Sequence, residues 1–367
     1  MDFPKQMLFP GKVIFNKGAY LSIAKECLEL GNNGIVVCGC SLDRSGKKEE
    51  ILQTFVQSSR VECFIKEAGE PCLDQVSRLI DNAKSINADW VVGIGGGSVL
   101  DLAKASAGLF NAKENPQFYQ EGGVLLEKGI PFIAVPTSAG SGSEATNNAV
   151  IINKEKKAKL SIRDDRFLAR KVILDVELLR GVPSSVLSYS GIDAFVQAYE
   201  SFISKNSTWF SRNLAKKAIE LIDKNILPAY DSRDEDSLSS LLLGSFLAGV
   251  ALSSSRLGVI HGIAHPLGVL YNLPHGLVCS ACFAPSVRLN KEIIGDKYRI
   301  LSDIVNEDFL KRISFLLKSL NIASPFKDKP IIEKEQIILE TLKSGSTAAS
   351  PKKISRRDVE YILKEVF

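Results

Sequence analysis

The sequence predicts an α/β half followed by an α-helical half, and three features of the chain lead to that prediction. The 367 residues exceed what one hydrophobic core usually fills, so two domains are expected. Up to about residue 178, short apolar runs alternate with helical patterns, which indicates crossover units and a mainly parallel sheet. Beyond that point, strand patterns nearly vanish and long helical patterns replace them. We therefore expect an α/β domain over residues 1–178 and an α-helical domain over residues 179–367.

Four buried strands are predicted in the first half, each as a short apolar run between polar segments. They cover Asn33 to Cys38, Asp89 to Ile94, Ile130 to Pro136 and Lys171 to Asp175. Ser45 to Ser59 and Leu73 to Asn87 have helical patterns. Because ligands of parallel sheets bind at the carboxyl ends of the strands, the loops after these strands are the first candidates for a binding site.

Long helices are predicted throughout the second half. They cover Ser184 to Ser204, Trp209 to Leu227, Asp236 to Ser254, Lys297 to Asn321, Ile332 to Leu342 and Ile354 to Val366. Pro228 is expected to end the second of these helices, because proline lacks a backbone donor and disrupts helix interiors. Ser355 is expected to open the last helix.

Composition and charge exclude several classes of protein. The net charge is +4 from 46 basic and 42 acidic residues that are interspersed, which does not favour a nucleic-acid partner. No segment reaches the roughly 18 apolar residues that span a bilayer, and the N-terminus lacks the apolar core of a signal peptide. The seven cysteines, with a lone CxxC at Cys279 and Cys282, show no disulfide or zinc framework. A cytoplasmic protein without membrane or nucleic-acid partners is therefore expected.

A glycine-rich segment follows the second predicted strand and runs into a helical pattern. It contains Gly95, Gly96, Gly97 and Ser98. Glycines let the backbone approach a diphosphate closely, and the free N–H groups at a helix start bind the anion. These residues are therefore candidates for holding a dinucleotide, although their spacing is not GxGxxG. A tight strand-to-helix corner is the alternative explanation.

A second polar loop, Pro136 to Asn148, follows the next predicted strand. It carries hydroxyl groups and glycines without large apolar side chains, so it could donate several hydrogen bonds to a pyrophosphate or a ribose. By itself it would be interpreted as a solvent-exposed loop, and it becomes a candidate only together with the glycine segment.

The three histidines of the chain all lie within 15 residues, at His261, His265 and His275. Positions 261 and 265 would share one face of a helix, which Pro266 is expected to kink or end. A lone histidine in so apolar a region is more often a hydrogen-bonded core residue. Three together favour metal binding or catalysis.

Asp193 is the best candidate for a carboxylate that joins these histidines. It lies in a largely apolar helical pattern, where burying a carboxylate costs several kcal/mol unless it is paired or bound to metal. Divalent cations held by imidazoles usually also take a carboxylate. The alternative role of Asp193 is a helix N-cap. Gln197, one helical turn further, offers a neutral oxygen.

Three separated motifs resemble those of the iron-containing alcohol dehydrogenase family, whose fold is shared with dehydroquinate synthase and glycerol dehydrogenase. They are GGGSVLDLAK (Gly95 to Lys104), PTSAGSGSEAT (Pro136 to Thr146) and HGIAHPLGVLYNLPHG (His261 to Gly276). Their order and spacing also match, from about Phe9 to the C-terminus. The resemblance implies an α/β dinucleotide-binding domain followed by an all-α domain that holds a metal ion.

The resemblance also implies roles for individual residues. NAD(P) would be bound at its diphosphate by Gly96, Gly97 and Ser98, and elsewhere by Thr137, Ser138, Ser141, Asn148 and, near the nicotinamide ribose, Lys159. A divalent metal, Fe²⁺ or alternatively Zn²⁺, would be held by Asp193, His261 and His275, with His265 beside the nicotinamide and the substrate.

Two positions depart from the family pattern. Gln197 occupies the place of a fourth ligand, usually histidine, and its amide oxygen binds metals more weakly. The affinity could fall, the preferred ion could change or the metal could be absent, but the three remaining ligands favour a metal. Gly39, followed by Cys40 and Ser41, occupies the place of an aspartate that many NAD-preferring members carry, so NADP is slightly favoured over NAD.

The function that the resemblance implies is reversible hydride transfer between NAD(P) and a small alcohol or aldehyde, with the metal as Lewis acid. His265 is the hypothesis for proton transfer or substrate orientation. Three alternatives stay open: a metal-free reductase like the maleylacetate reductases, a dehydroquinate-synthase-like lyase, and a non-catalytic dinucleotide-binding protein. The resemblance further suggests a homodimer, and the sequence does not identify the substrate.

Overall fold

The computed structural model describes residues 4, 6–44, 46–55, 60–156 and 158–367, which form two compact units. One unit comprises residues 8–138 and 142–182 and contains the sheet. The other comprises residues 139–141 and 183–367 with the described residues before 8, and long helices dominate it. The predicted fold class, an α/β part followed by an α-helical part, is confirmed.

A parallel sheet forms the centre of the first unit. Its strands are β1 (Lys12–Phe15), β2 (Asn33–Gly39), β3 (Arg60–Lys66), β4 (Trp90–Gly95), β5 (Phe132–Pro136) and β8 (Lys171–Leu174), and β6 (Asn148–Asn153) and β7 (Ala158–Arg163) form a separate antiparallel pair. The sheet order is β1-β8-β5-β4-β2-β3, and every neighbouring pair is parallel. From β2 the chain proceeds to β3 on one side, whereas from β4 it proceeds to β5 on the other. The carboxyl ends of β2 and β4 therefore form the switch point, where such sheets bind ligands.

The helices of this unit are α1 (Ile23–Leu28), α2 (Cys40–Arg44), α3 (Lys47–Gln53), α4 (Leu73–Ser85), α5 (Gly97–Gly108) and α6 (Pro116–Gln120). All of them are short except α4 and α5. The strands predicted around residues 33, 89, 130 and 171 are confirmed as β2, β4, β5 and β8. The helix predicted over Ser45 to Ser59 is present as α3, and residues 45 and 56–59 of it lie outside the described residues. The sequence did not predict β3, because charged residues interrupt its apolar pattern.

The second unit is a bundle of long helices. They are α7 (Ser184–Ile203), α8 (Trp209–Asp231), α9 (Glu235–Ser255), α10 (Val259–Tyr271), α11 (His275–Ile294), α12 (Asp296–Ile304), α13 (Phe309–Ser319), α14 (Lys334–Lys343) and α15 (Arg356–Val366). Within the described part of the chain, α9 alone has the length and apolar composition to cross a membrane. Most of its apolar stretch is buried inside the unit, as expected for a core helix.

The prediction that Pro228 ends its helix was wrong. The helix α8 continues past Pro228 to Asp231, so the proline lies in its last turn. The carbonyl oxygen of Pro228 accepts a hydrogen bond from the Ser232 hydroxyl at 2.8 Å. At Pro266 a kink or an end of the helix was expected, and α10 continues past it to Tyr271, which excludes the end and leaves the kink a prediction. One predicted helix, over Lys297 to Asn321, is instead the pair α12 and α13, since Asp308 caps α13 by accepting from the backbone N–H of Lys311 at 3.1 Å.

Candidate functional site

The buried face of α7 carries the carboxylate that the sequence singled out. Asp193 is only 6% exposed, and it lies in the helix interior rather than at its N-cap, which is Pro183. A carboxylate at this depth requires partners, because burial penalises its charge. Those partners come from the two helices that contain the histidines.

The starts of α10 and α11 bring two histidines to Asp193. The Asp193 Oδ1 atom lies 3.4 Å from His261 Nε2 and 3.8 Å from His275 Nε2. Gly276 makes this approach feasible, because a Cβ atom there would lie 2.2 Å from the carbonyl oxygen of Tyr189 on α7. The glycine after His275 thus has a steric reason: it lets α11 pack against α7.

Several atoms of this cluster are buried without a hydrogen-bond partner among the described residues. They are Oδ1 of Asp193, Oε1 of Gln197 and Nε2 of His261. Buried polar atoms are nearly always paired in folded proteins, so such a group in one place requires an explanation. Carboxylate oxygen and imidazole nitrogen are common ligands of divalent cations, and the atoms present therefore fit a metal ion.

Glu200 is a residue of this site that the sequence did not reveal. Its carboxylate accepts from His261 Nδ1 at 2.7 Å and from the backbone N–H of Ile260 at 2.7 Å. A histidine that ligates a metal usually donates its other ring N–H to a carboxylate in this way, which orients the ring. Its position seven residues after Asp193, on the same helical face, was the available signal.

The electrostatics of the cluster favour a positive charge at its centre. Burial acts to lower the pKa of His261, but the carboxylates of Asp193 and Glu200 outweigh it and raise that pKa to about 9. Burial acts to raise the pKa of Asp193, and the neighbouring His275 and His261 outweigh it and hold that pKa below its usual range. Two carboxylates therefore stabilise a cation here, whether a proton or a metal ion.

Three more side chains lie next to Asp193 and His275: the predicted site residues Gln197 and His265, and Cys279. Gln197 donates its amide Nε2–H to Asp193 Oδ2 at 3.2 Å. The ring of His265, one turn beyond His261, has its centroid 5.3 Å from that of His275. Cys279 is fully buried, and its Sγ atom lies 3.5 Å from His275 Nε2.

The glycine segment has the predicted strand-to-helix geometry. The strand β4 ends at Gly95 and α5 begins at Gly97, with Gly96 as an N-cap that offers no side-chain hydrogen bond to the helix. Glycine is required at 95, because a Cβ atom there would lie 2.6 Å from the Val99 side chain. Gly96, Gly97 and Ser98 are partly exposed, so N–H groups of the first turn can reach an anion.

Two other predicted segments flank this turn in the sheet unit. Gly39 is the last residue of β2, next to β4, and Ser41 is exposed in the short helix α2. Thr137 follows β5 on the other side and donates its backbone N–H to the Gly95 carbonyl at 3.0 Å. A Cβ atom on Gly96 would lie 3.3 Å from the Ser138 hydroxyl oxygen. These residues therefore lie together at the carboxyl edge of the sheet.

The last three predicted dinucleotide residues differ in their surroundings. Ser141 lies on the loop after β5. Asn148 opens β6, and its side-chain Oδ1 is buried without a partner among the described residues. Lys159 on β7 forms an ion pair with Glu70 at 2.7 Å. A nucleotide phosphate would have to compete with that carboxylate for Lys159.

A buried ion cluster lies beneath these loops. The ammonium of Lys104 is fully buried, lies 3.6 Å from Asp101 and donates to the Ser143 carbonyl (2.6 Å) and the Asn148 carbonyl (2.8 Å). Asp101 in turn accepts from the backbone N–H of Val150 at 3.0 Å. Buried polar contacts therefore connect the segment Gly95 to Lys104 with the loop Pro136 to Asn148. The sequence did not predict these contacts.

Two family models match the chain along most of its length. The model described as iron-containing alcohol dehydrogenase matches residues 10–176. The model of the C-terminal part of the Fe-containing alcohol dehydrogenase family matches residues 187–367.

Individual proteins of known identity are similar to the chain over most of its length. Sulfoacetaldehyde reductase of Bilophila wadsworthia (strain 3_1_6) is 30% identical over 321 residues, 86% of this chain and 83% of that protein. Alcohol dehydrogenase 4 of Saccharomyces cerevisiae (strain ATCC 204508 / S288c) is 28% identical over 355 residues, 94% of this chain and 91% of that protein. The crystal structure of a 1,3-propanediol oxidoreductase superposes with a TM-score of 0.93 at 25% identity, covering 100% of both chains. The chain belongs to the iron-containing alcohol dehydrogenase family, and it is an alcohol dehydrogenase or aldehyde reductase whose cofactors are NAD(P) and a divalent metal.

Proposed function

We propose that Asp193, His261 and His275 hold the divalent cation of this enzyme and that Gln197 offers a weaker oxygen donor beside them. The observation that carries the proposal is the group of buried, unpartnered atoms on Asp193, Gln197 and His261. Electrostatics also support it, because the carboxylates of Asp193 and Glu200 stabilise a positive charge at His261.

The residues of the chain have separate tasks in the proposed reaction. The N–H groups of Gly95 to Ser98 bind the diphosphate, and Thr137, Ser138, Ser141, Asn148 and Lys159 bind the rest of the dinucleotide. Bound cofactors would supply the chemistry: Lewis acidity at the substrate oxygen from the cation, and a hydride from the dinucleotide. Glu200 orients the His261 ring through Nδ1. His265 transfers a proton to or from the substrate oxygen, or orients the substrate.

Cofactor choice depends on the carboxyl end of β2. Gly39 is its last residue and Cys40 and Ser41 follow, so no carboxylate of these three residues would repel a 2′-phosphate. We therefore expect NADPH to be used at least as well as NADH. Steady-state kinetics with each cofactor would test this, and a strong preference for NADH would contradict it.

The proposal also covers the cellular location of the enzyme, its oligomeric state, its partners and its domain bounds. We propose a cytoplasmic homodimer that binds neither nucleic acid nor membrane, with the dinucleotide domain over residues 1–178 and the metal and substrate domain over residues 179–367. The near balance of 46 basic and 42 acidic residues supports the absence of a nucleic-acid partner. None of the seven cysteines forms a disulfide in the described part of the chain, which fits a reducing compartment.

The proposed function can be tested with one preparation of native protein. Its metal content is measured, and cofactor absorbance is followed with simple aldehydes, hydroxyaldehydes and sulfoacetaldehyde, the last because a similar protein bears that name. We expect about one metal ion per chain and consumption of reduced cofactor. Chelation should abolish turnover, and restored metal should recover it. Full activity of metal-free protein would favour the metal-free reductase alternative instead.

A further inference from the structure

The cluster around Asp193 contains a fourth potential metal ligand, Cys279. Potential ligand atoms of Asp193, His261, His275 and Cys279 all lie within 4.8 Å of one another. We propose that the Cys279 thiolate is the fourth ligand of the cation, in place of the amide of Gln197. This rests on the proposed cation site and names a ligand that the family resemblance does not assign.

Helix geometry aims the sulfur of Cys279 at the site. His275 is the first residue of α11, and Cys279 follows four positions later, one turn along the same face. The thiol is fully buried, and it contacts both His275 and the carboxylate of Asp193. Cys282, three residues further, is also buried but is not one of the four residues whose ligand atoms converge.

Three of the six separations between donor atoms lie at or close to those expected around a tetrahedral cation, and all six are within 4.8 Å. With bonds of about 2.0–2.1 Å to nitrogen or oxygen and about 2.3 Å to sulfur, tetrahedral ligands lie about 3.3–3.6 Å apart. The observed separations are 3.4 Å for His261 Nε2 and Asp193 Oδ1, 3.8 Å for His275 Nε2 and Asp193 Oδ1, and 3.5 Å for Cys279 Sγ and His275 Nε2. A cation among them would draw the donor atoms that lie further apart towards these separations.

Gln197 is the weaker competitor for this position. It presents its amide nitrogen, not its oxygen, to the Asp193 carboxylate. That bond suits a residue that orients Asp193, as outer partners of metal ligands commonly do. A thiolate is also a better ligand for zinc than a neutral amide oxygen, because zinc is among the metals that soft sulfur ligands select.

The proposal has a consequence for metal preference. A site with one thiolate should favour Zn²⁺ or Co²⁺ over Fe²⁺ more strongly than the same site without it. Coordination requires the thiol to lose its proton, which passes to solvent as the metal binds.

The test is the absorption spectrum of the whole protein, stripped of metal and reloaded with Co²⁺ under reducing conditions. Thiolate-to-cobalt charge transfer produces a near-ultraviolet band that nitrogen and oxygen ligands do not. We expect the band in wild type, its loss in Cys279→Ser, and its retention in the matched control Cys282→Ser, another buried cysteine on α11. Zinc affinity should fall at least about tenfold in Cys279→Ser, the smallest loss seen when only an outer partner is removed.

Each outcome decides the question. A wild-type spectrum without the band overturns the proposal and needs no variant that might misfold. A band that survives Cys279→Ser and disappears in Cys282→Ser overturns it as well. Aldehyde reduction by the cobalt enzyme is measured separately: turnover without the band refutes only the thiolate ligand, whereas the band without turnover refutes the proposed function.

Discussion

Two buried clusters of charge, one in each unit, differ in what occupies their centre. In the sheet unit, the ammonium of Lys104 is surrounded by oxygen atoms of Ser143, Thr146 and Asn148 at 2.6–3.0 Å. The protein supplies the central cation itself. In the helical unit, Asp193 Oδ1 and His261 Nε2 face each other at 3.4 Å, and neither has a hydrogen-bond partner among the described residues.

This difference is what we expect between a structural cluster and the proposed metal site. Both clusters pay the cost of burying charge, and only interactions with an opposite charge recover it. Lys104 provides that charge for the loops of the dinucleotide motifs. Around Asp193 no lysine or arginine of the described residues plays this part, and the carboxylates of Asp193 and Glu200 instead stabilise a positive charge at His261, which a bound metal ion would replace in the proposed site.

The largest expected effect is at the carboxylate of the metal cluster. Asp193→Asn keeps the side-chain shape but removes the charge, so the bound metal should be lost. Turnover should fall about a thousandfold, equivalent to about 4 kcal/mol. Metal analysis and aldehyde-reduction kinetics measure this. Dinucleotide affinity is the control and should persist; normal metal content and turnover would refute the role of Asp193.

The next largest effect is expected in the sheet unit, at Lys104. Lys104→Met should lower the free energy of unfolding by about 3 kcal/mol, because it leaves Asp101 and several acceptors buried without their cation. Urea unfolding measures it. The control is Lys154→Met, which removes an exposed pair with Asp74 and should change stability little. Equal effects of the two substitutions would show that burial of Lys104 is unimportant.

His265→Ala tests whether a histidine beside the cluster acts on the substrate. Turnover should fall about a hundredfold, as expected for loss of general acid–base catalysis. Metal content and dinucleotide affinity should remain near their wild-type values. Weakened cofactor binding with normal turnover would argue against a role in proton transfer.

The smallest expected effect is a pH dependence in the Lys104 cluster. Burial raises the pKa of Glu144 to about 7 from an ordinary 4.5. The protonated form therefore contributes stability that is fully present below 4.5 and is lost as the pH rises through about 7. The free energy of unfolding of the wild type should fall across that window, and that of Glu144→Gln should not. Unfolding of both proteins at several pH values checks this; parallel pH profiles would contradict it.

Local patterns in the sequence predicted much of the fold. Apolar runs marked β2, β4, β5 and β8, and helical periodicity marked the long helices of the second unit. The glycine turn before α5 was predictable because chain sterics permit few residues there. The position of Pro228 misled the prediction, since this proline lies in the last turn of α8 and the helix continues to Asp231.

The sequence by itself determined which residues could take part in chemistry: the glycines after β4, the clustered histidines and an aspartate in an apolar helix. The tertiary structure alone decided which atoms meet. Glu200 reaches His261, and His275 reaches Asp193, only because α7, α10 and α11 pack at particular rotations about their axes. Those rotations depend on contacts between distant segments, such as the approach of Gly276 to Tyr189, and no local pattern encodes them.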